Sequence, residues 1–347
     1  MDAFIRLISA LILTVALLSS SQSTELRGSG RRAVDRLGER RMLNVSVKDA
    51  FREEAKPRTV LPVLQTLSAE SAALPAVLRS DETKETTISG GLSIRNATDY
   101  WVDVPGIVSD GTDITLPADS PQILIIHTHS SEAYTQAGLD RYEPSDSYRT
   151  ENTEFNVVRI GDELTAIYEE AGLRVIHDRG IYDYPSYTGS YTRSGEAIGR
   201  YLSDYPGIGI VIDLHRDALG SDGVVYKTMA EEDGVVSSQV MLLVGTDASG
   251  LEHPDWRRNL ALALYLQNTV NLVNPTLMRP VELVRERYNQ QLCPGALILE
   301  VGSNGNTLQE ALAAIRMFGH SSAPALLSLV EGDAAEPFEE EIESTDG

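Results

Sequence analysis

Three short segments carry side chains able to hydrolyse a polar bond: His127-Thr128-His129-Ser130-Ser131-Glu132, His215-Arg216-Asp217 and Glu300-Val301-Gly302-Ser303-Asn304. The chain has six His and a single Cys, Cys293, which excludes a multi-cysteine zinc knuckle and an internal disulfide framework. A metal ion would therefore be held by imidazoles and carboxylates. His127, His129, Glu132 and His215 are suitable ligands for a borderline-soft divalent ion, Zn²⁺ above all. A catalytic zinc takes three protein ligands and keeps a fourth position open, so four candidates leave one with another role. In an extended segment His127 and His129 face the same way, so both can ligate or one can support the other. Glu300 ends an apolar run; desolvation there raises a carboxyl pKa and suits it to carry a proton from water to a leaving amine. Arg216 is the candidate partner of a substrate carboxylate through its guanidinium fork, and Asp217 is placed to fix Arg216 or His215. Asn304 lies in the Gly302–Asn306 loop, where glycine permits a close approach to a ligand or simply a turn.

These segments need elements that converge. Gln122–Ile126, Ile208–Leu214 and Ala296–Leu299 are apolar runs that end directly before the reactive residues. Leu173–Ile176 and Gln239–Gly245 read as further strands. Helical periodicity runs from Glu154 to Ala171 and stops at Gly172, and Ser194–Leu202 and Pro254–Val273 form two more helices. Thr307-Leu308-Gln309-Glu310 has capping-box spacing and opens the last helix. Strands alternating with helices predict an α/β, three-layer fold with a mostly parallel sheet covered on both faces. Ligands of such sheets bind beyond the carboxyl ends of the strands, which brings the three segments to one pocket.

The flanks carry little core. Leu7–Leu18 is a 12-residue apolar run after Arg6, short for a span and suited to a signal peptide or membrane anchor over residues 1–24. Residues 25–92 are charged, then rich in Ser, Ala, Thr and Glu, as a flexible stalk would be. The domain expected to fold runs from 93 to 330. The stretch 331–347 holds eight acidic residues and no basic one, the composition of a disordered tail. With 29 Lys+Arg against 51 Asp+Glu and a net charge of −22, the chain lacks the basic footprint that nucleic acid requires.

Ile125–Tyr134 (IIHTHSSEAY), Asp213–Asp217 (DLHRD) and Leu299–Leu308 (LEVGSNGNTL) resemble the signature blocks of the stage II sporulation protein P family. Ile94–Asp103 (IRNATDYWVD) and Asn156–Leu164 (NVVRIGDEL) extend the similarity over roughly residues 93 to 325. The resemblance implies a zinc-dependent N-acetylmuramoyl-L-alanine amidase that separates the peptidoglycan glycan strand from its stem peptide. It also implies cleavage of peptide crosslinks, action beside sporulation proteins D and M during engulfment, and an extracytoplasmic location. By the same resemblance the ligand roles fall on His127, His215 and a third group, Glu132 in preference to Glu154, and the base role falls on Glu300. A zinc peptidase or deacetylase of another wall bond would share the ligand set, whereas a non-catalytic wall-binding module would need it broken. Tyr182, Tyr184, Tyr187 and Tyr191 crowd the loop Ile181–Arg193, where they line a glycan groove or pack the loop itself. His177, His253 and His320 lie outside the blocks and read as structural or exposed.

Overall fold

The computed structural model describes residues 64–66, 85–89 and 91–331, all within the unit Leu61–Gly347. The expected signal or anchor, most of the stalk and the acidic tail beyond 331 lie outside the described residues. In chain order the elements begin with β1 (Leu64–Thr66), β2 (Glu85–Ser89), β3 (Leu92–Asn96), α1 (Val104–Asp110) and β4 (Ile123–Ile126). Then follow α2 (Val157–Glu170), β5 (Val175–His177), α3 (Ser190–Asp204) and β6 (Ile210–Asp217). Two hairpins come next, β7 (Gly220–Ser221) with β8 (Val224–Thr228) and β9 (Ala230–Glu232) with β10 (Val235–Ser237). The chain continues through β11 (Val240–Val244), α4 (Trp256–Val273), β12 (Val281–Leu283), β13 (Ala296–Ser303) and α5 (Leu308–Leu327).

The local chemistry explains the helix ends. Asn156 caps α2 by accepting from the Val158 amide, and Gly172, at φ +102°, turns the chain out of the helix. Thr307 and Glu310 form the anticipated capping box at the start of α5. Inside α2, Val157, Ile160, Leu164 and Ile167 are buried on one face.

Eight strands form one sheet in the order β2-β3-β12-β11-β13-β6-β4-β5. All neighbours are parallel except β2 with β3 and β11 with β13. The reversal at β11 has a simple cause. Hairpins rather than a crossover helix lead from β6 to β11, so the chain re-enters the sheet at the end where it left.

Side-chain parity sorts the sheet into its layers. Ile123, Ile125, Ile212, Leu214, Leu299 and Val301 join the core under α2, α4 and α5. Leu124, Ile126, Val211 and Ala296 pack with Ala197 and Ile198 of α3 on the other face. Helices on both faces give the predicted three layers. The same parity sets Asp213, His215 and Glu300 on the α3 face, and His127 on the α2 face.

Candidate active site

β6 and β13 run parallel, and His215 is the register partner of Glu300, so the two side chains stand next to each other on one face. Asp213, two residues before His215, shares that face. Its Oδ1 lies 2.9 Å from His215 Nε2, a close contact that falls off the ideal hydrogen-bond line. Asp213 also accepts the Thr128 amide at 2.7 Å and the Thr128 hydroxyl at 2.6 Å, which ties the end of β4 to β6.

Beyond β4 the chain turns over residues 128–131, closed by the Glu132 amide donating to the His129 carbonyl at 3.0 Å. The turn delivers His129 and Glu132 to the α3 face. Glu132 Oε2 lies 3.3 Å from His215 Nδ1 and accepts the Arg216 amide at 3.2 Å. Its Oε1 receives Arg149 at 3.3 Å and the Arg216 guanidinium at 3.4 Å. The His129 ring stacks on Tyr187 with centroids 4.5 Å apart and meets His215 edge-on at 5.3 Å.

His127 does not join this group. Its Nδ1 is 2.9 Å from the Leu214 carbonyl and its Nε2 is 2.8 Å from His177 Nε2, while His177 Nδ1 lies 3.2 Å from Asp162. The His127–His177 pair sits beneath Gly161 of α2, where a Cβ would come within 2.7 Å of both imidazoles. The expectation that His127 and His129 face the same way fails because the extended segment ends at Ile126.

The structure corrects two further expectations and sets aside one alternative ligand. Arg216 is buried and turned inward, bonding Glu132, the Ala133 carbonyl at 3.1 Å and the Tyr148 carbonyl at 3.1 Å; it holds Glu132 in place and offers no fork to a substrate carboxylate. Asp217 pairs with Arg279 at 2.7 Å rather than with Arg216 or His215. Glu154 is exposed and outside the site. Asn304 lies beside the site, accepting the Leu219 amide at 3.1 Å and lining a cleft of about 480 Å³ with Arg149, Arg216 and the β7–β8 hairpin. Gly305 is required by packing, since a Cβ there would lie 2.5 Å from the Tyr226 carbonyl.

Burial pushes the Glu300 carboxyl up to about 8, and its Oε2 is buried without a partner. Burial disfavours charge on His215, yet Asp213 and Glu132 on either side lift its pKa well above the imidazole range. Burial acts to raise Glu132, but Arg216 and then His215 hold it at about 2. Burial lowers His127 to about 3 and His129 to about 4, so both are neutral imidazoles at pH 7. Desolvation, then the carboxylates of Asp213, Glu300 and Glu132 together with Tyr288, push the Tyr191 hydroxyl far above the phenol range.

Sequence reasoning missed Asp213 and Arg149. Arg149 bonds Asp183 at 2.5 Å, reaches Glu132 and lies 5.1 Å over the Tyr187 ring. The i, i+2 spacing of Asp213 and His215 on a strand was a legible signal for the first. Nothing local marks Arg149, which arrives by the isolated bridge that pairs it with Glu132. Of the four loop tyrosines, Tyr187 and Tyr191 reach His129, Tyr182 bonds Asp178 at 2.6 Å, and Tyr184 is exposed.

Among the described residues no three His, Cys, Asp or Glu side chains meet as a formed metal cluster. The donors present are nonetheless of the right kind. His129 Nδ1 is buried without a partner. The 3.3 Å between His215 Nδ1 and Glu132 Oε2 matches the roughly 3.3 Å edge of a tetrahedron with bonds of about 2.0–2.1 Å. Two carboxylates flanking His215 call for a positive occupant, and a cation between His215 and Glu132 meets that demand as well as a proton does.

A family model described as stage II sporulation protein P matches residues 52–321. Stage II sporulation protein P of Bacillus subtilis (strain 168) is 24% identical over 207 residues, covering 55% of this chain and 48% of that protein, so the chain spans about half the length of the curated relative it matches. Among solved structures, the CwlD amidase from Clostridioides difficile in complex with the GerS lipoprotein is 14% identical with a TM-score of 0.36, covering 60% of this chain and 99% of that one. The N-acetylmuramoyl-L-alanine amidase AmiC2 of Nostoc punctiforme is likewise 14% identical, with a TM-score of 0.34 and coverage of 60% and 96%.

Proposed function

Because the chain belongs to the stage II sporulation protein P family, we propose that it is a peptidoglycan hydrolase of sporulation. It cuts the amide between N-acetylmuramic acid and the L-alanine of the stem peptide. The observation that carries this is the juxtaposition of Glu300, half-buried and with a raised pKa, with His215, His129 and Glu132 at the carboxyl ends of three different elements. A Zn²⁺ would be held by His129, Glu132 and His215, where it would supply Lewis-acid polarisation of a carbonyl and acidification of water, and its charge would favour the carboxylate form of Glu300.

The protein's own groups do the rest. Glu300 takes a proton from the attacking water and returns it to the departing amine. Asp213 and Thr128 fix the orientation of His215, and Arg216 with Arg149 aims Glu132. Tyr187 and Tyr191 shield His129 from bulk water. Action outside the cytoplasm, beside sporulation proteins D and M, and cleavage of peptide crosslinks form part of the same proposal through the family resemblance.

Mass spectrometry of purified peptidoglycan incubated with the protein, with and without chelator, tests it. Release of intact stem peptides with a free L-alanine amino group, abolished by chelator and restored by Zn²⁺, is the expected result. Products cut only within the peptide, or deacetylated sugars, would overturn it.

A further inference from the structure

Tyr191 is the second residue of α3, whose start is set by Gly189 at φ +84°. Its position is fixed from three sides. The ring meets His129 edge-on with centroids 5.4 Å apart and lies against Tyr288, also at 5.4 Å. Its backbone carbonyl accepts Asn289 Nδ2 at 2.7 Å. Held this way, the phenol has the carboxyl groups of the site, Asp213, Glu300 and Glu132, in its surroundings.

The hydroxyl separates Tyr191 from three other tyrosines of the chain. Tyr134, Tyr168 and Tyr182 each bond a protein partner through theirs, the Val301 carbonyl, Ser322 and Asp178 respectively. Among the described residues the Tyr191 hydroxyl bonds none. A rigidly held donor without a protein acceptor is poised for an acceptor that arrives with the substrate. Hydrolysis of an amide creates one. Water adds to the carbonyl carbon as its proton passes to Glu300, and the C=O π pair moves onto oxygen. When that pair returns, the C–N bond breaks and Glu300 hands the proton to the nitrogen.

We infer that the Tyr191 hydroxyl is the hydrogen-bond donor to the oxyanion of this tetrahedral intermediate, keeping its own proton throughout. The inference rests on the proposed amidase function. A preorganised donor whose acceptor gains charge only in the transition state lowers the barrier without tightening substrate binding.

The test is Tyr191→Phe, which keeps the ring and both aromatic contacts. Kinetics on a muramoyl-peptide should show kcat lowered roughly 10²–10³-fold, the usual loss for one such donor, with KM, zinc content and melting temperature unchanged. Affinity for a phosphinate analogue of the muramoyl-peptide, tetrahedral at the scissile position, should fall by the same factor. Wild-type kcat in Tyr191→Phe with an inactive Glu300→Gln would overturn the inference and leave the amidase function standing. Full activity in both variants would overturn both. Loss of zinc or of melting temperature in step with the rate would assign Tyr191 to packing instead. A fall in kcat only in Tyr288→Phe would move the donor role to Tyr288 and overturn it likewise.

Discussion

Glu300 and His215 are register partners on adjacent parallel strands, so a carboxyl that burial holds at about 8 stands beside an imidazole flanked by Asp213 and Glu132. Glu300 is the member of this group with an unpartnered oxygen, as a proton carrier must be. Glu300→Gln keeps shape and hydrogen bonding while abolishing proton transfer. It should retain zinc and substrate affinity while turnover falls roughly 10²–10⁴-fold. A variant that lost its metal would show Glu300 to be a ligand.

Metal content separates His129 from His127. His129→Ala and His215→Ala should each strip stoichiometric zinc, as read by elemental analysis of the purified protein. His127→Ala should keep it, because both ring nitrogens of His127 are engaged by Leu214 and His177. If His127→Ala emptied the protein of zinc and His129→Ala did not, their roles would have to be exchanged.

In the proposed site Asp213 would act on the zinc through His215, whose Nε2 it contacts at 2.9 Å. Removing a carboxylate that orients a ligating imidazole typically lowers metal affinity about 10–100-fold, and Asp213→Asn should do so in a competition titration against a chromogenic chelator. Thr128→Val, which loses one bond to Asp213, should move in the same direction by less. Unchanged affinity in both variants would mean that Glu132 and Arg216 alone fix the geometry.

The pH dependence of stability is set partly by His253, remote in sequence from the reactive segments. Burial holds it at about 4, below the roughly 6.5 of an unfolded histidine. The unfolded chain therefore binds the proton more readily, so stability is full above about pH 6.5 and falls as pH drops towards about 4. His177, also lowered to about 4 by burial, adds to the same limb. Melting curves of His253→Leu should show a shallower acid slope, with part of it surviving through His177; an unaltered slope would remove His253 from the account.

The sequence by itself determined the strands that end in His127, His215 and Glu300, the capping box of α5 and the apolar face of α2, because each depends on neighbours within about a turn or a strand. It also determined that these ends converge, since a mostly parallel sheet gathers its carboxyl ends on one edge. Which imidazole faces the site was decided only by tertiary structure. The turn at 128–131 breaks the two-residue alternation, sending His129 to the α3 face while His127 stays under Gly161. Arg216 looked like a substrate fork because a sequence does not reveal which carbonyls will surround a guanidinium; Ala133 and Tyr148, brought in from distant loops, claim it. Arg149 and the hairpins from 220 to 237 were equally hidden, and Tyr191 stood out only as one of four tyrosines in its loop. Their roles come from contacts across dozens of residues, whose closure depends on the packing of the whole domain rather than on any local preference.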